Sequence, residues 1–566
     1  MNINIKAKPQ NTYDAIVVGT GISGGWAAKE LCEKGLKTLV LERGRDVKHV
    51  QDYPTMQKHP WELPYGDRLS KEDLAKHHVQ NRTGYTVKQS TKHWWVNDLE
   101  NPYSEVKRFD WIRGYHVGGR SLLWGRQSYR LSEMDFEANA KDGIAVDWPI
   151  RTVDIAPWYD YVESFAGING QAEGLTQLPD GKFLPPMEMN CVEKHLKTKV
   201  AENFNGRVIT IGRSANLTQP HRGRAQCQYR NMCIRGCPYG AYFSSQSSTL
   251  PAAVATGNMT LRPHSIVTEV IYDANTKKAS GVRIQDAETK EFMEFYARIV
   301  FLNASALGTT QIMLNSTSDR FPDGLGNDSG ELGHNLMDHH YRAGAAGVFE
   351  GFEDKYYRGR RPNGIYIPRF RNIDEQRSDY IRGFGYQGSA SRENWMRSIK
   401  EMDFGADFKE SLTAPGPWRM GLGAFGECLP YHENKVTLNR EVLDVYGMPT
   451  LSIDCEFKEN ELVMRKDMIN SAAEMLEAGG FADIQTYDSI GGPGLAIHEM
   501  GTARMGRSPK TSVLNKFNQV HTVPNVFVTD GACMTSSACQ NPSLTYMALT
   551  ARAADHVVKE VNKGNL

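Results

Sequence analysis

Two stretches of this 566-residue chain have residue types and spacings that could do chemistry. Gly19-Thr20-Gly21-Ile22-Ser23-Gly24 is a complete GxGxxG, and Cys227, Cys233 and Cys237 crowd three of nine cysteines into one short segment. In the first, the glycines permit a tight turn, close approach of backbone to a pyrophosphate, and tight packing of helix on strand. In the second, the C-x5-C-x3-C-P spacing cannot place all three thiols on one helix face, so a loop must wrap around something. It reads as a metal or redox site. Zinc would need a fourth ligand, for which His221 is a candidate. Cys237-Pro238 suggests an iron–sulfur loop, although such loops usually supply four cysteines. Free structural thiols are the third reading.

The elements that must position the glycine turn are legible around it. Ala15–Val18 is an apolar run suited to a strand buried on both faces. A helical pattern follows through Trp26, Ala27, Ala28 and Leu31, closed by Gly35. Thr38–Leu41 is a second strand and ends at Glu42, whose carboxylate can accept both ribose hydroxyls. The helix N-terminus offers free N–H groups and partial positive charge to the pyrophosphate. The far end of the chain repeats the theme. Val526-Phe527-Val528-Thr529-Asp530-Gly531 is a buried strand ending in an acid and a glycine. Asn541-Pro542-Ser543 then opens a helical run, with Pro542 in the first turn, where no backbone donor is lost. A cofactor site built from both chain ends is expected, and the motif alone does not separate FAD from NAD.

Composition narrows the class. Length predicts two or more domains. Hydrophobic residues make up 40% and charged residues 23%, as in a globular enzyme. Lys+Arg and Asp+Glu are both 66, so no net charge points to nucleic acid or an anionic membrane surface. No run approaches the ~20 apolar residues of a membrane span. The first ten residues carry Lys6 and Lys8 without an apolar stretch, so no secretory signal is expected in the chain itself.

A second glycine turn, His116-Val117-Gly118-Gly119-Arg120-Ser121-Leu122-Leu123-Trp124, joins Leu332–His339, His498-Glu499-Met500-Gly501 and Asn525–Asn541 in one order along the chain. In these motifs the sequence resembles the glucose–methanol–choline (GMC) oxidoreductases over nearly its whole length. The resemblance implies an α/β fold: a Rossmann-like FAD-binding domain (1–335 and 495–566, with a Cys-rich insertion at about 150–240) and a substrate domain (336–494) on an antiparallel sheet. It implies FAD contacts at Gly19, Gly21, Ile22, Ser23, Gly24, Glu42, Arg43, Gly118, Gly119, Ser121, Leu123, Trp124, Val267, Ala304, Asp530, Gly531, Asn541, Pro542 and Ser543. The family's catalytic pair resembles His498 and Asn541. Alcohol oxidation needs removal of the hydroxyl proton, and an imidazole suits that role near neutral pH. An amide can orient the same oxygen. Glu427 falls where relatives place a carboxylate near substrate. His334, His339 and His340 resemble a motif that helps build the flavin domain. Leu122 and Leu123 stand where some members carry a flavin-tethering histidine, so dissociable FAD is expected. Thr91-Lys92-His93-Trp94 resembles a tether motif but lies upstream of the turn.

Within the family the chain most resembles bacterial glucoside 3-dehydrogenase catalytic subunits, in which the same cysteine spacing resembles the ligand set of a [3Fe–4S] cluster. That implies a dehydrogenase oxidising a secondary hydroxyl of a glucoside, at C3, to a ketone. Electrons would pass through the cluster to a cytochrome c-type acceptor. It also implies a small signal-bearing partner subunit and a periplasmic location, with the cytoplasm as alternative. Glucose or gluconate dehydrogenase subunits, a pyranose oxidase, and an FAD-bearing lyase or scaffold subunit are the other readings. Tyr356, Tyr357, Tyr366, Tyr386, Trp395 and Trp418 are candidates for stacking on sugar faces.

Overall fold

A computed structural model describes residues 11–357, 359–393, 404–413 and 415–566; Trp395 lies outside the described residues. Two sheets organise it. The first strand, β1 (Thr12–Val18), turns through the glycines into helix α1 (Ile22–Glu33) and returns as β2 (Thr38–Leu41). β1 is flanked in parallel by β2 and by the strand Phe292–Leu302; Met259–Arg262 extends the far side of β2. Val526–Val528 adds to the other edge of Phe292–Leu302, also in parallel. Ser265–Asp273 and Lys278–Asp286 continue the sheet antiparallel.

The register explains why distant segments meet. Val18 pairs with Leu41 and with Leu302, and Leu302 pairs with Val528. The carboxyl ends of four strands therefore lie in one row, and the residues that follow them face a common crevice, where α/β sheets place their ligands. Apolar side chains on both sheet faces are buried under α1 and under the last helix, Ser543–Asn562.

The second sheet is antiparallel, in the order Ala482–Asp488, His340–Phe349, Trp418–Gly426, Phe384–Arg392, Ile365–Ile367, Thr210–Ile211. Strand alternation sends Leu422, Ala424, Ala343, Ala345 and Tyr386 to one face, where Met464, Met468, Met475 and Leu476 of the helix Glu459–Ala478 cover them. The other face looks toward the crevice. Its register slips between Ala424 and Phe425, opposite Arg342, which adopts φ +60. Such a bulge re-aims neighbouring side chains, here Tyr341 and Phe425, whose rings stack at 5.0 Å.

Two segments sit across the expected domain limits. From the Cys-rich segment, Cys191–Asn203 and Thr210–Ile211 join the second sheet. From within 336–494, the strands Lys435–Leu443 and Pro449–Asp454 pair with each other, and their Val436, Leu451 and Ile453 pack on Phe109, Trp111 and Leu307. Among the described residues no helix is long and apolar enough to cross a membrane.

Candidate active site

The glycine turn is shaped by what side chains would strike. A Cβ at Gly19 would lie 2.3 Å from the Asn303 carbonyl oxygen, and one at Gly24 would lie 2.0 Å from that of Gly19. At Gly21 a Cβ would meet nothing within 4 Å, so this glycine faces open space. α1 begins there with no side-chain cap and no acid in its first turn, which leaves its amides to a ligand. The space is a cavity of about 510 Å³, within the range of small-molecule sites.

Glu42 borders this cavity, buried, and accepts from the Thr20 hydroxyl and amide and from the Gly44 amide at 3.1 Å. Burial raises its pKa. Thr20 also accepts from the Gly118 amide at 2.8 Å, which locks the two glycine turns together. Gly119, Ser121, Leu123, Trp124, Val267 and Ala304 line the same cavity, with Ile22, Ser23 and Arg43. Arg43 is held by Asp444 at 2.6 Å. Gly24, Gly118 and Pro542 are not on its wall; they act through close packing and helix geometry.

These residues fit FAD. An open glycine at an uncapped helix start suits a pyrophosphate, and an acid at the end of β2 suits a ribose. The cavity then continues past the second glycine turn to Asp530, Gly531, Ser543 and Tyr546, leaving length for a second ring system. Asp530 accepts from the Thr309 hydroxyl at 2.6 Å, and burial pushes its pKa up to about 6.

At the far end stand His498 and Asn541. The His498 Nε2 lies 3.3 Å from the Asn541 Nδ2, and its Nδ1 lies 2.7 Å from the Nδ1 of His339. Burial, with the charges of His339 and Arg120, holds the His498 pKa well below the usual histidine value. Arg120 is itself paired bidentately with Glu499 at 2.9 and 2.8 Å. The Asp338 carboxylate accepts the backbone amide of His498 at 3.0 Å and so fixes that loop. Asn541 is oriented in turn: its Oδ1 accepts from Gln387 at 2.7 Å, and the Oε1 of Gln387 accepts from Gln127 at 3.0 Å. Tyr85, Tyr341 and Phe425 supply the aromatic wall. A hydroxyl in this space meets a neutral base and an amide donor together, the pair that alcohol oxidation requires.

Other expected residues lie elsewhere. Glu427 is buried away from the cavity, bound to Arg382 at 2.8 Å and to the Ala538 amide at 3.2 Å. It forms an ion pair within the core and does not line the cavity. Tyr386 and Trp418 point into the core of the second sheet, Tyr366 stacks on Tyr129 at 3.8 Å, and Tyr356 and Tyr357 are exposed. His116, buried, and His93, half-buried, both pack beside Trp94 and do not line the cavity. His339 was visible in its motif, but only its ring geometry marks it as part of the site. Gln387, Gln127, Tyr341 and Phe425 lie in stretches with no motif to single them out.

The cysteines occupy a loop containing one short 3-10 turn, Cys233–Arg235. Among the described residues no three His, Cys, Asp or Glu side chains are grouped so as to hold a metal ion. His221 directs its Nε2 to the Ser164 carbonyl at 2.9 Å, which leaves only its Nδ1 for a metal. An iron–sulfur group, held by thiolates around its rim, makes a different demand. Burial pushes the Cys227 thiol up to about 11, and Cys233 and Cys237 both act on it electrostatically. Arg126 lines the cavity and also faces Cys233 and Cys227. Cys227 thus lies near Cys233 and Cys237; none of the three is on the cavity wall, and among the described residues they do not share one ion-sized point.

Comparison with known proteins agrees with this architecture. Family models described as GMC oxidoreductase match residues 13–341 and 430–550. A 2-methyl-1,2-propanediol dehydrogenase from Mycolicibacterium austroafricanum is 28% identical, over 96% of this chain and 95% of its own. The fructose dehydrogenase large subunit of Gluconobacter japonicus is 24% identical, over 97% and 98%. A formate oxidase structure from Aspergillus oryzae superposes with a TM-score of 0.62 at 16% identity, covering 98% of this chain and 99% of that one.

Proposed function

The chain belongs to the GMC oxidoreductase family, and from that premise we propose that it is an FAD-dependent sugar dehydrogenase oxidising a secondary hydroxyl of a glucoside, at C3, to a ketone. The observation that carries this reading is the half-buried His498, its pKa held low, beside Asn541 at one end of a cavity whose other end is a nucleotide cradle. FAD, when bound, supplies the hydride acceptor. The Nε2 of His498 takes the hydroxyl proton. The amide of Asn541, its oxygen already occupied by Gln387, turns its N–H groups to the substrate oxygen. Tyr341 and Phe425 give the sugar an apolar face to lie on and keep water from the base. Non-covalent attachment is supported by the position of His93 and His116 outside the cavity wall.

On the same reading Cys227, Cys233 and Cys237 hold an iron–sulfur group of the [3Fe–4S] kind, which supplies one-electron exchange with a cytochrome c-type acceptor. Their spacing and mutual proximity support this, with Arg126 reaching from the cavity wall toward Cys233 and Cys227. A small signal-bearing subunit and a periplasmic location complete the proposal; similarity to a protein named as a large subunit supports the partner subunit. A second reading, oxidation of a small diol, is favoured by the 28% relative. The deciding test is anaerobic addition of methyl glucoside, with NMR of the product. Bleaching of the flavin with a 3-keto product is expected. Bleaching by 2-methyl-1,2-propanediol but by no sugar would replace the sugar with a diol.

A further inference from the structure

We infer that His339 is a positioning residue that fixes the tautomer of His498 and shares the proton His498 receives. The inference rests on the proposed role of His498 as base.

The direction of the hydrogen bonds follows from one fixed point. The Nε2 of His339 lies 2.7 Å from the Ala538 carbonyl oxygen, and a carbonyl only accepts. His339 therefore carries its proton on Nε2, and a neutral ring then has a lone pair on Nδ1. That lone pair lies 2.7 Å from the Nδ1 of His498, so His498 must donate from Nδ1. The lone pair of His498 is left on Nε2, the atom beside Asn541 that faces the cavity. The opposite side agrees: with its oxygen held by Gln387, Asn541 points N–H toward that same Nε2. Without His339 only the longer 3.3 Å contact from Asn541 distinguishes the two ring nitrogens, and the other tautomer would present N–H to a hydroxyl whose proton has to leave.

The same geometry accommodates the product. In the reaction the substrate O–H bond breaks and its proton goes to the Nε2 of His498, while the C–H bonding pair leaves as hydride to the flavin. His498 then carries both protons and keeps its bond to His339. If the Nδ1 proton crosses that 2.7 Å contact, His339 becomes the imidazolium and still donates to Ala538. Neither ring rotates, and the contacts of the pair with each other and with Ala538 are kept. The charged groups facing the pair are Arg120 and its partner Glu499, with Asp338 beneath the loop and His340 next in sequence. Burial pushes His339 down to about 4, so the resting pair is uncharged.

Two near-isosteric substitutions separate this role from a scaffolding one. His339→Asn puts an amide oxygen where the Nδ1 stood and keeps the acceptor for His498, but loses Ala538. His339→Gln can reach Ala538 and leaves His498 without its acceptor. With FAD content equal to wild type, His339→Asn should keep kcat within ~10-fold, and His339→Gln should lose ~10²-fold or more at unchanged KM. The reverse order, or a Gln variant as fast as wild type, overturns the inference. In the wild-type protein, NMR of nitrogen-labelled histidine should show His498 protonated on Nδ1 and His339 on Nε2; any other assignment overturns it as well. His498→Ala is the control for the underlying reading: if that variant stays active, the base itself is wrong.

Discussion

At the scale of single residues the site depends on a base kept neutral. Because burial lowers the His498 pKa, the imidazolium accumulates only well on the acid side of the ordinary value of about 6.5. Activity should therefore be flat through neutral pH and fall only below that value. The kcat/KM profile, which reports groups of the free enzyme, checks this, and an acid limb at or above ~6.5 would contradict it. His498→Ala should retain FAD and lose about 10²–10⁴-fold in turnover in anaerobic bleaching assays. Glu427 offers the contrast. Its carboxylate serves Arg382 and the Ala538 turn, so Glu427→Gln should lower the melting temperature and leave kcat within a few-fold. A large loss of kcat at full flavin occupancy would return Glu427 to the chemistry.

At the scale of elements the clearest constraint is the contact of α1 with its own turn. Gly24→Ala would place a methyl 2.0 Å from the Gly19 carbonyl oxygen, and only movement of the helix can relieve that. Overpacking of this kind costs about 1–3 kcal/mol, occasionally more. Because the displaced helix is the one facing the pyrophosphate, the purified variant should show a lower flavin-to-protein ratio. Unchanged flavin content would mean that the helix start does not hold the cofactor. This unit was legible in the sequence because all its determinants are local: strand, turn, helix and acid follow one another between Ala15 and Glu42. The aromatic wall was not. Tyr366, Tyr386 and Trp418 have the right side chains for a sugar site, but strand alternation turns Tyr386 and Trp418 to the core. Tyr341 and Phe425 reach the cavity beside a register slip at Arg342, and such a slip leaves no mark in the sequence of either strand.

At the scale of the whole molecule, His93 and His116 pack against Trp94 and neither lies on the cavity wall, in keeping with the expectation of dissociable FAD. Acid precipitation should release all the flavin into the supernatant, and colour retained in the pellet would reveal a covalent bond. The cavity joins segments that are far apart in the chain. Val18 and Val528 end in the same row, yet nearly the whole of the chain's synthesis separates them. A ribosome adds about 5–20 residues per second, so roughly half a minute or more passes between the first strand and its last neighbour. During that interval the nascent chain holds half of a nucleotide cradle and no base. Asp530, Asn541 and the final helix have not yet emerged, so the nascent chain cannot complete the cavity around FAD. Loading of the cofactor is then a post-translational event, and a cell making this protein must keep the incomplete crevice from aggregating until its last strand arrives.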